Sequence, residues 1–300
     1  MNLLLSKRQL FKEVNLEAMK KIKQIINSRD IMMGDVQLGQ PLPVPELRQV
    51  SPFILIHHGD PKEQRPGEKG IKVGAHPHRG FEPVSFIFHG EVEHRDSMGN
   101  VNVVRDGGVQ WLTAGKGVMH SEAASKAFQK KGGKFEMIQL WINLPKELKM
   151  IEPNYQGFNR EDIPFYEQIN SRVNVISGKI GDIKGPFESI TGVMALTIEM
   201  QAKGEVNLDI PEGKNVILYQ LSGATHVNDK KVDAKQLVVF EQSETKIKIS
   251  STQPTTILFL VGDPIDEPLA TYGPFVMNTS EETMQAVMDF QTGKMGELVD

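Results

Sequence analysis

Two short patterns in this 300-residue chain are built to do chemistry. His76-Pro77-His78 sets two imidazoles two residues apart, and His120-Ser121-Glu122 sets an imidazole and a carboxylate at the same spacing. On an extended strand, residues i and i+2 point to one face. Each pair can therefore aim both ligand atoms into one interior. Pro77 helps by disfavouring the helical region for His76. If the two strands are neighbours in a barrel, His76, His78, His120 and Glu122 converge. Three neutral imidazoles and one carboxylate suit a divalent first-row metal ion. A six-coordinate ion would keep positions open for substrate, water or dioxygen.

A single His-x-His pair is ordinarily just a polar strand surface. Two such pairs, and the distribution of histidines, argue otherwise here. Seven of the eight histidines lie between residues 57 and 120, and only His226 lies in the second half. Glycines surround the pairs: Gly70, Gly74, Gly80 and Gly90 near the first, Gly115 and Gly117 just before His120. The chain has no cysteine, which excludes disulfides, thiolate zinc sites and cysteine nucleophiles. No Gly-x-x-x-x-Gly-Lys-[Ser/Thr] phosphate loop occurs. With 34 basic and 38 acidic residues the net charge is −4, which argues against direct nucleic-acid binding. The apolar start, Leu3 to Leu5, is too short for a signal peptide. No apolar run is long enough to span a membrane. The expectation is a soluble, cytoplasmic protein.

The elements that must position these side chains are short strands. Phe53 to Ile56, Val84 to Phe88, Val92 to His94, Val101 to Val104, Val109 to Leu112 and Met137 to Ile142 read as strands. Asp96 to Asn100 is a hairpin turn. Residues 145–170 read as a crossing. Strands resume at Val193 to Ile198, Val216 to Leu221, Leu237 to Phe240, Ile247 to Ile249 and Thr256 to Val261. Val216 to Gly223 echoes Val84 to Gly90, an apolar strand ending in glycine. The expected fold is all-β, with two related barrels. An N-terminal extension over residues 1–45 is expected to carry an amphipathic helix. Asn15 would cap it, with Met19, Ile22, Ile25 and Ile26 on its apolar face and Lys20, Lys21 and Lys23 on a solvated one. Pro41, Pro43 and Pro45 follow as a connector. A C-terminal helix near Glu281–Phe290, capped by Ser280, ends the chain.

Other residues carry blander expectations. His94 reads as structural, His57 and His58 as a solvated strand end, and His89 as surface. Trp111 and Trp141 read as core rather than substrate platforms. Phe53, Phe86, Met119 and Ile142 are open between barrel core and an apolar pocket over the metal.

Gly70, His76, His78, Glu82 and Gly90 resemble the first cupin motif, with one extra residue before the last glycine. Gly115-Lys116-Gly117-Val118-Met119-His120 resembles the end of the second, with glycine where proline is usual. The runs from His76 to Glu82, Gly90 to Ser97, Gln110 to Glu122 and Tyr272 to Asn278 resemble the pirin family over roughly residues 42–290. That resemblance implies a bicupin of two double-stranded β-helix (jelly-roll) barrels. The metal would sit in the first barrel only, on His76, His78, His120 and Glu122. The implied division is a metal-binding cupin at 46–150 and a metal-free cupin, with crossing and C-terminal helix, at 151–300. Glu82 matches the cupin glutamate but is no pirin ligand; it is expected behind the ligands or beside Arg79.

By the same resemblance the metal is expected to be Fe(II), although Ni, Mn, Co, Cu or Zn would fit the donors. The implied activity is a quercetin 2,3-dioxygenase-type ring cleavage of a small aromatic substrate by dioxygen, with Glu122 as ligand and general base. The alternatives are a metal-bearing regulatory or redox-sensing protein acting through a protein partner, and a metal that only staples the barrel. A monomer is expected, since each barrel can cover the other's exposed sheet.

Overall fold

The computed structural model describes residues 19–298. Alternating burial along its strands produces two barrels of the same plan, each a seven-stranded sheet facing a four-stranded one. In the first barrel the large sheet runs Asn154–Phe158, Val109–Thr113, Phe81–His89, Gly133–Asn143, Phe53–Gln64, Val36–Leu42, Arg29–Met33. Its small sheet runs Lys72–His78, Val118–Ala124, Glu91–Asp96, Val101–Arg105. In the second barrel the large sheet runs Ile22–Asn27, Gln236–Phe240, Asn215–Ser222, Thr255–Gly262, Met194–Met200, Ser171–Ser177, Phe165–Gln168. Glu205–Asp209, Lys246–Ser251, Ala224–Val227 and Lys230–Asp233 form its small sheet. The echo of Phe81–His89 in Asn215–Ser222 is real: the two strands hold the same place in the two sheets.

The large sheets face each other. Val84, Phe86, Trp111, Ile138 and Leu140 from one, with Ile217, Tyr219, Leu237 and Leu258 from the other, share a single buried cluster. Phe53 and Ile142 belong to this seam, so they are core and not lining over a metal. The interior of the second barrel is filled by apolar side chains, among them Val206, Leu208, Ile247 and Ile249. These lie on the two strands that correspond to the histidine-bearing strands of the first barrel.

Among the described residues, the positions expected on the N-terminal helix form no helix. Met19 makes an isolated bridge to Lys246, and Ile22–Asn27 is a strand on the edge of the second barrel's large sheet. A bulge between Ile22 and Gln24 breaks the alternation. Ile22 and Ile25 therefore both pack on the second barrel's interior, and Ile26 turns to the seam. The bulged strand thus imitates helical spacing. Lys20, expected on a solvated face, is buried and donates to the carbonyls of Ser243 and Glu244. Asn15 lies outside the described residues. Asn154–Phe158 does for the first barrel what Ile22–Asn27 does for the second: the first large sheet is completed by the segment that follows its barrel, the second by a strand that precedes the first barrel in the chain.

Helix α1 (Lys126–Lys131) is short. Helix α2 (Ser280–Gln291) is the expected C-terminal helix, capped by Thr279 rather than Ser280. The Thr279 hydroxyl accepts from the Glu282 amide, and Glu282 accepts back from the Thr279 amide.

Candidate metal centre

Val118–Ala124 lies between Lys72–His78 and Glu91–Asp96, with His120 opposite His76 and Val118 opposite His78. Cross-strand partners share a face, so three imidazoles meet inside the first barrel. Their ligand nitrogens lie within 4.8 Å of one another, the one such group of histidines and carboxylates among the described residues.

Hydrogen bonds on the far side of two rings fix their tautomers. His76 Nδ1 donates to the Gly74 carbonyl at 2.8 Å, and His78 Nδ1 donates to the Pro274 carbonyl at 3.3 Å. Both Nε2 atoms are then bare lone pairs, and they face each other 3.1 Å apart. His120 is buried with neither ring nitrogen partnered. Buried polar atoms rarely lack a partner, and each orphan costs about 1–3 kcal/mol. Converging lone pairs without a proton between them are what a cation requires, so these residues fit a metal ion. Burial, and then its neighbour His76, pushes His78 down to about 3. Burial, followed by His78, His76 and His94, holds His120 well below its ordinary value. All-neutral imidazoles are the ligating form.

The Glu122 carboxylate is buried nearby but is not one of the converging ligand atoms. A bulge between His120 and Glu122 puts Glu122 opposite Val73 on one side and His94 on the other. Its Oε1 accepts from Ser85 Oγ at 2.9 Å and from Gln110 Nε2. Its Oε2 has only a long bond from Gln139 Nε2, 3.4 Å. Ser85, Gln110 and Gln139 were missed from sequence. The available signal was a polar residue in the middle of an otherwise apolar buried strand.

His94 is structural, as expected: its Nε2 meets Asp96 Oδ2 at 3.0 Å, and its ring stacks on Tyr155 at 4.1 Å. Burial alone would raise the Asp96 carboxyl, but hydrogen bonds from His94 and Asn100 outweigh it and hold it low. Burial, with Glu122 and Asp96 near, raises the Tyr155 phenol, which stays protonated.

Trp111 is core, but Trp141 is half-buried beside the centre, 5.5 Å from the His78 ring and 4.3 Å from Phe81. Met119 packs under the C-terminal segment. Phe86 lines a cleft of about 260 Å³ at the seam, with Glu136, Arg160 and Thr255, away from the three histidines. His58, expected to be solvated, is buried at the seam between Tyr219 and Glu136 because the second barrel covers it. His89 is partly exposed beside Glu136. Glu82 is neither behind the histidines nor paired with Arg79. It points to the other face of its strand, where Oε1 accepts from Thr113 and Oε2 is unpartnered. Burial pushes it up to about 7. In the second barrel, exposed His226 faces solvent.

Two family models match the chain: Pirin over residues 35–142 and the Pirin C-terminal cupin domain over 195–296. A Pseudomonas aeruginosa protein named as a candidate quercetin 2,3-dioxygenase is 36% identical over 249 residues, covering 82% of this chain and 87% of that protein. Human pirin is 31% identical, covering 92% and 94%. The crystal structure of a quercetin 2,3-dioxygenase from Acinetobacter baumannii superposes with a TM-score of 0.87 at 36% identity, covering 94% of this chain and all of that one. A bacterial pirin from Escherichia coli, solved in complex with nickel(II), shares the fold with a TM-score of 0.63 at 19% identity, covering 81% and 99%.

Proposed function

This chain belongs to the pirin family, and from that premise we propose that it is a metal-dependent dioxygenase of the quercetin 2,3-dioxygenase type, acting on a flavonol-like aromatic substrate. The observation that carries the reading is the set of unpartnered nitrogens: two facing Nε2 atoms and a buried His120 with no partner at all. We assign one divalent ion, Fe(II) by family likeness, to His76, His78, His120 and Glu122. Nickel in the Escherichia coli relative supports a divalent ion without choosing among metals. Metal binding is assigned to the cupin at 46–150, and the cupin at 151–300 is assigned as metal-free, its equivalent strands carrying Val206, Leu208, Ile247 and Ile249.

Such an ion would supply Lewis acidity to a substrate enolate and an adjacent place for dioxygen. The chain's own residues do the rest. Trp141, half-exposed beside His78, offers a face on which a flat aromatic ring can stack. Ser85 and Gln110 anchor Oε1 of Glu122, leaving Oε2 as the oxygen that takes the substrate's hydroxyl proton.

The test is to strip the protein of metal, load it anaerobically with iron(II), add quercetin and dioxygen, and follow flavonol absorbance and carbon monoxide together. Metal-dependent loss of flavonol with carbon monoxide release, abolished in His76→Ala and strongly reduced in Glu122→Gln, is expected. Tight metal binding without turnover across several metals would remove the dioxygenase reading.

A further inference from the structure

The last elements of the chain do not stay with the second barrel. Ala270–Tyr272, Phe275–Met277 and α2 cross back onto the histidine-bearing end of the first. Their contacts bracket the ligands. The Pro274 carbonyl accepts from His78 Nδ1. The next residue, Arg79, accepts at its carbonyl from the Val276 amide at 3.0 Å, and its guanidinium donates to Asp289 of α2 at 2.8 Å. Met119, immediately before His120, packs with Phe275, Ala286 and Met295. Ser97 Oγ accepts from the Met119 amide and donates to the Met295 carbonyl at 2.9 Å. Buried Lys149 donates to the carbonyls of Gly80 and Val276, tying the tail to the turn after His78.

Two glycines make room for it. A Cβ on Gly80 would run into the Val276 carbonyl, and one on Gly117 would meet Met295 at 2.7 Å.

We propose that residues 270–298 are a positioning element of the metal centre: the Pro274 carbonyl fixes the His78 tautomer, and the docked tail sets how long the ion is retained. The idea rests on the metal-centre reading above and extends it to a segment remote in sequence. An imidazole whose far nitrogen donates to a carbonyl is held in one tautomer and orientation and is a stronger ligand. Losing the bond frees His78 to flip or to move its proton to Nε2, which removes the lone pair.

The test uses the full chain, with cobalt(II) as a coloured probe. Asp289→Asn loosens the clasp on Arg79, and Met295→Ala empties the contact at Gly117. Either variant serves if the other fails to fold. Val227→Ala, in the second barrel's core, controls for general destabilisation. In the metal-free protein, imidazole nitrogen NMR should find the His78 proton on Nδ1 in wild type and control, and spread over both nitrogens in the tail variants. Cobalt release to excess chelator should be about tenfold faster in the tail variants, with an altered visible spectrum, and unchanged in the control. Unchanged tautomer and release would overturn the proposal. Faster release with the proton still on Nδ1 and the spectrum unchanged would overturn the role of Pro274. Wild-type protein that holds no cobalt would instead overturn the metal-centre reading, and this inference with it.

Discussion

Three imidazoles share one end of the first barrel, and their ligand nitrogens converge within 4.8 Å of one another. His76→Ala or His120→Ala should therefore abolish retention of nickel(II), read as metal per chain after gel filtration. His226→Ala should retain it fully, and equal loss there would sink the one-site account. Glu82 makes a different prediction. Its carboxyl has an ordinary value of 4.5 but is raised by burial to about 7 in the folded chain. Below 4.5 both states hold the proton, so the shift contributes nothing to the pH dependence of stability. As pH climbs from there, the unfolded chain ionises first, so stability falls until the folded carboxyl ionises too, near 7. Glu82→Gln should match wild type in acid and gain on the order of 3 kcal/mol above that range, by urea unfolding at a series of pH values. A gain independent of pH would refute the assignment.

Element boundaries depend on side chains at single positions. Ile22, Ile25 and Ile26 satisfy helical spacing, yet form a strand because a bulge lets residues three apart share a face. The open edge of Gln236–Phe240 supplies the partner that decides between the two. Helix α2 obeys local rules better, since Thr279 and Glu282 cap it reciprocally. Thr279→Ala should cost about 1 kcal/mol, by denaturant unfolding. Because α2 carries Asp289, the same substitution should also speed amide exchange across Phe275–Met277. Exchange confined to α2 would show that helix and strand dock independently.

At the scale of the whole molecule, the two barrels share one apolar seam rather than touching at their rims. Polar ties cross it: His58 to Tyr219, and Lys235 to Asp60 at 2.6 Å. Ile217→Ala, in the middle of that seam, should cost about 2–5 kcal/mol. Wild type should melt in one calorimetric transition whose van 't Hoff and calorimetric enthalpies agree. Two separate transitions, with only the second barrel's shifted by the substitution, would contradict a shared core. The paired strand patterns, the turns and the histidine triad were legible in the sequence, because strand alternation and i, i+2 spacing are local and act through the chain's own geometry. So was the contrast between a polar and an apolar barrel interior, since histidines and isoleucines occupy corresponding strands. What lay beyond the sequence was everything decided by a partner remote in the chain. Ile22–Asn27 found its place on the other barrel's sheet, His58 and Glu82 were buried by the seam, and Pro274 came to stand behind His78. No local spacing encodes such contacts; they exist only once the two sheets pack and the tail folds back across them.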